Sequence, residues 1–429
     1  MSHRHTTALP TARYPATLAL AALLAAAVLA GCKTEVTCAS DQVICDGKCV
    51  SLASDPANCG ACGFSCPAGD TCSASLCCQG SRCFPAVYAA CFKLDEVRGA
   101  TASLEAVGAP VRVGAGPISL AWEGSRLWVA GSLDNTLAPL VAAEGGLALD
   151  GTMPTVVVPA GSGQAFIDLE YLAASGGLLY ASNGGVGSIV RVDAASGQVR
   201  DEVRLDAFAN PQGIAFSGAK AYVALASLDQ VAVLDLTVSP PVVTRTIDLS
   251  GLGSPPDGLA MPFRLAVVGG RLYVTLTNIH YVPAPVYQEP AGNGRLAVID
   301  IATDSLVGGV NPVDLGSGCQ NPQGLALHGS TLWVSCGFFV WNSTSVSGSA
   351  FVPVELAGPA PVVGRAIPVT DAAPGALAFC GGTGFAADRF SGNLLRLDPV
   401  LGTVTGRGLV CPPPATSTAT FVADVACAR

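Results

Sequence analysis

The sequence predicts an all-β chain assembled from a repeated four-stranded antiparallel unit, and three observations predict it. Residues 211–249 (PQGIAFSGAKAYVALASLDQVAVLDLTVSPPVVTRTIDL) divide into four short apolar runs, 213–216, 219–225, 230–236 and 242–247. Gly, Ser-Gly, Leu-Asp and Ser-Pro-Pro punctuate them, as turns punctuate strands. The aromatic of the second run, Tyr222, has counterparts in Trp128, Tyr180, Tyr273, Trp333 and Phe385, at spacings of 42 to 60 residues. Such spacings suit stacked sheets joined by loops of variable length. Finally, the third run of most copies ends in an acid followed by a turn, at Asp193, Asp235, Asp300, Glu355 and Asp398, whereas the equivalent Val141 lacks the acid.

One further copy, LDEVRGAT at Asp95, precedes the first aromatic mark and has no inner strand of its own. At the other end FVADVACAR (421–429) matches the inner strand GALAFC (375–380), and there the sequence stops. The two halves predict one composite sheet, with its inner strand from the C-terminus and its outer strands from the segment near Cys91. Closing the ring in this way removes exposed sheet edges. Six whole units and one composite unit give a seven-bladed β-propeller over 86–429. The alternative is six blades with 86–100 as an extra edge strand.

Taken in order, residues 1–31 read as a targeting segment. Arg4 and Arg13 form a basic start, Ala16–Ala30 an apolar stretch, and Leu29-Ala30-Gly31-Cys32 resembles a bacterial lipobox in which Cys32 would be lipidated. An ordinary secretory signal or a short membrane anchor competes, but the run is short for a span. Lys33 after the cysteine is compatible with sorting to the outer membrane. The expected address is therefore the bacterial cell envelope, with a lipid anchor in the membrane. Loss of residues 1–31 would take the formal charge from −9 to −11. An acidic chain without a basic run repels phosphates, which argues against nucleic acid as a partner.

Residues 32–85 form a cysteine-rich module, with ten cysteines from Cys38 to Cys83. In an exported segment this poor in large apolar residues, disulfides are the expected staples. Zinc or redox chemistry is the rival reading of Cys59-Gly-Ala-Cys62 and Cys62-Gly-Phe-Ser-Cys66. Eleven thiols lie between Cys38 and Cys91 and five between Cys319 and Cys427. Two odd groups cannot each pair internally, so either a bridge joins them or free thiols remain. A bridge from the Cys78–Cys91 stretch to the C-terminal group would staple the composite blade. Cys319 precedes an inner strand and Cys336 ends the strand returning beside it, which predicts that pair.

For chemistry, the loops leading into inner strands and those joining second to third strands share one face, here termed upper. Asp168, Asn210, Asp257 and Asn321 lie in leading loops. They could ring the channel mouth with oxygen ligands suited to calcium, or they could be turn formers only. The acids ending third strands, with Asp95 grouped among them, belong to the opposite face and read as turn caps. Two long upper loops, Asn278–Gly294 and Gly337–Ala350, concentrate His280, Tyr281, Tyr287, Phe338, Phe339 and Trp341 in a chain that is only 6% aromatic. They read either as a binding surface for a glycan or protein partner or as two loops packed on each other. Only His280 and His328 follow the targeting segment, and no GxSxG elbow occurs.

The text from Cys45 to Cys77, with its core DPANCGACGFSC, resembles the stigma-specific cysteine-rich family. That resemblance implies a small extracellular disulfide module without catalytic residues, and the scarcity of large apolar residues in the segment predicts a stalk or adhesive element. PQGIAFSGAKAYVALASLDQVAVLDL and PQGLALHGSTLWVSC resemble YVTN/NHL-type propellers, which implies fold more than function. Two functions follow as expectations. The first is a non-enzymatic, lipid-anchored surface protein that binds a ligand or partner through its propeller. The second is a metal-dependent lactonase-like hydrolase acting at the channel mouth, with Asp168, Asn210 and Asp257 as its candidate residues.

Overall fold

The computed structural model describes residues 38–159, 169–206, 208–254, 256–282, 288–339, 346–415 and 420–429. The chain divides into two compact units, one ending at Val50 and one running from Ser51 to Arg429. The first holds the hairpin Val43–Cys45/Lys48–Val50, with Cys38 bonded to Cys49. The second holds the remaining cysteine-rich segment and seven sheets of four or five strands.

Each sheet is one blade, named for its order in the ring. Blades 1 to 6 begin with inner strands Pro117–Glu123, Leu169–Ser175, Pro211–Ser217, Pro262–Val268, Pro322–His328 and Pro374–Cys380. Blade 7 takes its inner strand, Val422–Cys427, from the C-terminus and continues outward through Val87–Cys91, Glu96–Ala100 and Ala106–Arg112. Each inner strand contacts the next, and that of blade 7 contacts that of blade 1, so the ring closes at seven.

The core is distributed between the blades. Seven apolar clusters each join two neighbours; Trp128 and Leu137 of blade 1, for example, pack on Leu172 and Leu179 of blade 2. The aromatic marks Trp128, Tyr180, Tyr222, Tyr273, Trp333 and Phe385 are all buried. They fall on second strands, where large rings fill the widening space between twisted sheets.

The acids that end third strands cap tight turns. Asp193 Oδ1 accepts the Ala195 and Ser196 amides at 3.1 and 2.8 Å, and Asp300 and Asp398 do the same in blades 4 and 6. Asp95 does not belong with them. It follows a 3₁₀ turn, Phe92–Leu94, at φ 56°, between the second and third strands of blade 7. Because blade 7 starts from its second strand, the motif stands one loop earlier, on the upper face. There Asp95 Oδ1 accepts the Gly116 amide at 2.9 Å, in the loop leading into blade 1. Asp229 repeats the arrangement: after the 3₁₀ turn Ala226–Leu228, its buried Oδ1 accepts the Ala260 and Met261 amides of blade 4's leading loop at 3.0 and 2.7 Å.

Every described cysteine is disulfide-bonded. Cys59–Cys72, Cys66–Cys77 and Cys78–Cys83 staple the cysteine-rich part of the second unit. The sulfurs of Cys59, Cys66 and Cys77 lie within 4.8 Å of one another, but each is in a disulfide, so no thiolate is offered to zinc. Cys319 is bonded to Cys336. Cys91–Cys411 ties the second strand of blade 7 to the end of blade 6, and Cys380–Cys427 ties the inner strands of those blades. Residues 51–85 do not stand off as a stalk. Phe64 meets Phe385 edge-on at 6.2 Å between centroids, the Ser65 amide donates to Gly381 O at 2.8 Å, and Cys59, Ala61 and Phe64 share a core with blades 6 and 7.

Two outcomes follow. Asp229→Ala strands two buried amides and lowers stability by about 2–3 kcal/mol, read as a lower urea midpoint at unchanged slope. Replacing Cys91 and Cys411 together by Ser removes a link across 320 residues and lowers stability by roughly 3–5 kcal/mol, read in the same unfolding experiment.

Candidate functional site

The site is built by a repeated tetrapeptide. Asn210-Pro211-Gln212-Gly213 and Asn321-Pro322-Gln323-Gly324 open blades 3 and 5. Both asparagines sit in the left-handed region, at φ 47° and 50°, which Asn tolerates better than most residues. Each inner strand then shifts register, between Pro211 and Ile214 and between Pro322 and Gly324, as at a β-bulge. Glycine is required there. A Cβ on Gly213 would lie 2.6 Å from Phe263 O, and one on Gly324 would lie 2.2 Å from Gly375 O. Neighbouring inner strands therefore approach closely at the glycine, and the preceding glutamine lines the central channel.

The result is a cavity of about 240 Å³ at the upper end of the channel. Gln212, Asn321, Gln323 and Arg389 supply polar walls, together with Asn210, and Phe263 and Phe338 supply apolar ones. The amides hold one another: Gln212 Nε2 donates to Asn210 Oδ1 at 2.9 Å, and Gln323 Nε2 to Asn321 Oδ1 at 2.5 Å. Asn321 Nδ2 also donates to Gly337 O at 3.1 Å, and Arg389 Nη1 donates to Gln323 Oε1. Gln212 Oε1 is buried without a hydrogen-bond partner among the described residues.

Below it the channel narrows to a throat of about 20 Å³ lined by Phe263, Arg264, Glu170, Gln323 and Arg389. Arg264 lies over the rings of Tyr171 and Phe263, at 4.5 and 4.2 Å from their centroids. Burial pulls the Arg389 guanidinium down to about 10, the charge of Arg264 adds to that, and Glu170 opposes it. Asp424, on the inner strand of blade 7, is pushed up by burial, against the Leu120 amide, the charge of Arg264, the Val425 amide and Ser119.

Of the residues singled out from sequence, Asn210 and Asn321 share the cavity wall. Asp257 does not line it. Its Oδ2 is 2.8 Å from His280 Nδ1, and its Oδ1 accepts the Leu259 amide at 3.1 Å. Burial pushes the Asp257 carboxyl up, but the His280 and Leu259 hydrogen bonds outweigh it and hold the group below the usual carboxylate range. Asp168, Tyr287, Trp341 and Cys32 lie outside the described residues, and the side chains of Tyr281 and Phe339 are likewise outside them. As an oxygen ring for calcium, the described residues fit poorly. The two asparagine oxygens are taken by glutamines, and a guanidinium in the same wall repels a cation.

The two aromatic loops meet, but through a buried contact. Phe338 is 4% exposed and packs with Ile279 and Met261, so for this residue the packed-loop reading holds. The hairpin Ile279–Tyr281/Gln288–Pro290 carries both Ile279 and Gln288 to the cavity wall. Sequence reasoning missed Gln212, Gln323, Phe263, Arg264 and Arg389. The repeated Pro-Gln-Gly was a usable signal for the glutamines, whereas single arginines, one on an inner strand and one just past a second strand, leave none.

Residues 26–80 match the model of the Stigma-specific STIG1-like protein family, and the body beyond them is a β-propeller. No curated protein matches the chain. Among solved structures, a Lactobacillus plantarum protein superposes with a TM-score of 0.57 at 13% identity, over 80% of this chain and 98% of that one. The β-propeller domain of Myceliophteria thermophila Cps50 gives 0.51 at 14%, over 72% and 89%. A catalytically inactive Staphylococcus aureus virginiamycin B lyase, solved with quinupristin, gives 0.50 at 13%, over 71% and 86%. At these identities the likeness establishes the fold alone.

Phe338→Ala opens a void beside Ile279 and Met261 and costs about 3 kcal/mol. A thermal melt reads this as a lower midpoint, whereas an exposed binding aromatic would leave the midpoint in place.

Proposed function

We propose that this chain is an exported binding protein of the bacterial cell envelope, anchored by a lipid on Cys32, whose propeller captures a small polar ligand at the upper end of its channel. One observation carries the reading. Five amide side chains, those of Asn210, Gln212, Gln288, Asn321 and Gln323, line one concave, partly apolar cavity, and Gln212 Oε1 is buried there with no hydrogen-bond partner among the described residues. Pockets of this make-up, a few fixed polar groups among apolar ones, orient small ligands. A buried acceptor without a partner costs stability unless something donates to it, and a hydroxyl or N–H of a ligand would. The density of disulfides marks an extracytoplasmic protein. The lipobox-like Leu29-Ala30-Gly31-Cys32 supports the anchor. Among the described residues no helix is long and apolar enough to cross a membrane.

The test has two arms. A palmitate analogue fed to expressing cells labels the full chain and fails to label Cys32→Ala. Envelope glycan fragments then raise the melting temperature of the purified protein, and Gln212→Ala weakens that binding about tenfold, as loss of one good hydrogen bond does. EDTA-sensitive turnover of a lactone would favour the metal-dependent hydrolase instead, and glycan binding indifferent to Gln212→Ala would place the site elsewhere.

A further inference from the structure

We propose that the throat of the channel is a carboxylate site, so that the ligand is a small acid with an uncharged hydroxyl- or amide-bearing body and one carboxylate head. The inference rests on the binding reading above and names the chemical class. Two guanidinium groups, Arg264 from the inner strand of blade 4 and Arg389 from blade 6, line one throat. Among the described residues neither forms an ion pair. Arg389 donates to a neutral amide, Gln323. Arg264 is held by ring faces, which fix its plane and leave its N–H edge to other partners. Its Nη1 is buried and has no hydrogen-bond partner among the described residues.

Two carboxylates lie near this pair, Asp424 beside Arg264 and Glu170 in the throat wall. Asp424 is committed to the protein: its Oδ2 accepts the Leu120 amide at 2.7 Å and Ser119 Oγ at 3.1 Å, and its Oδ1 accepts the Val425 amide at 2.9 Å. Glu170 lines the throat and its charge opposes the fall in the Arg389 pKa, so two guanidinium groups face one carboxylate there. Two like charges brought together repel, and their proximity shows in the lowered Arg389 pKa. An anion between them relieves that repulsion and supplies the missing acceptor. Arginine pairs suit carboxylates because the planar fork matches two oxygens. The throat, about 20 Å³, has room for about one oxygen-sized group, so one carboxylate oxygen enters it while the rest of the head stays at its mouth. The 240 Å³ cavity above it, with Gln212 Oε1 waiting for a donor, takes the body.

The experiment uses the oxidised full chain and matched probes: glucuronate against glucose, galacturonate against galactose, and gluconate against sorbitol, at constant ionic strength with chloride as the salt control. At least one acid raises the melting temperature by several degrees more than its neutral partner. Arg264→Gln and Arg389→Gln, each folded by circular dichroism, abolish that difference. Arg264→Lys keeps the charge, loses the fork, and retains only part of it. The proposal is overturned if no acid outperforms its neutral partner, or if both Gln variants keep the difference. Equal stabilisation by acid and neutral probes, lost in Gln212→Ala, would sink the carboxylate site and leave the binding reading standing.

Discussion

A closed ring of sheets holds its shape only if its inner strands are fixed where the chain enters them, and here aspartates hold backbone amides of the loops leading into blades 1, 4 and 6. Asp229 reaches from blade 3 to the amides before blade 4. Asp95 reaches from blade 7 to Gly116 before blade 1, and Asp134 takes the neighbouring Ala115 amide at 2.7 Å. In blade 6 the buried Asp388 accepts the Ala373 and Phe390 amides, both at 3.0 Å. Loop amides near the channel have no sheet partner and cannot stay buried unpaired. A carboxylate accepts several donors at once, so one residue satisfies a loop and docks it to a sheet. The apolar clusters between blades supply most of the stabilisation, but they are non-directional. Asp95 and Asp229 fix where blade 7 sits against blade 1 and where blade 3 sits against blade 4.

Covalent links reinforce the one seam that the chain does not close by continuity. Blade 7 is built from both ends, so its inner strand would be free to leave as the C-terminus frays. Cys380–Cys427 and Cys91–Cys411 bind that strand and its neighbour to blade 6. The segment 51–85 covers the same place: Phe64, Ser65 and the Cys66–Cys77 disulfide lie against Phe385, Gly381 and Ala86. A module that resembles a free-standing disulfide domain thus acts, over most of its length, as part of the propeller's closure.

Much of this was legible in the sequence for a physical reason. Strands of a repeat must bury the same positions, so Trp128, Tyr180, Tyr222, Tyr273, Trp333 and Phe385 mark second strands wherever they occur. The truncated copies at the two ends could be matched as halves of one blade. Asp193 and its equivalents were readable because a turn cap acts within three residues. Asp95 was misread as one of them because Leu-Asp followed by a strand residue looks alike in both loops, and its partner, Gly116, is 21 residues away. The recurrence of Leu94-Asp95, Leu133-Asp134 and Leu228-Asp229 before third strands was the available clue. Phe338 could not be placed because an aromatic in a long loop is compatible with exposure or burial, and only the approach of Met261 and Ile279 decides. Channel residues were the least legible. Gln212 and Gln323 looked like turn residues, and Arg264 lies on the inner strand of blade 4 whereas Arg389 follows the second strand of blade 6, with no shared spacing.

The carboxylates that dock the blades also position the cations of the channel. Met261, whose amide Asp229 holds, stands three residues before Arg264, and the intervening Phe263 carbonyl is packed against Gly213. Arg389 lies directly between Asp388 and Phe390, the two ends of one of that aspartate's hydrogen bonds. Two guanidinium groups free to move would separate, since repulsion falls with distance and water screens it. Held on a backbone pinned close to each of them, they cannot. The ring therefore does for these two side chains what a preorganised site requires: it keeps like charges at a spacing they would not choose, with the cost carried by the inter-blade cores. In this propeller the closure of the fold and the charge of its channel are two consequences of the same fixed leading loops.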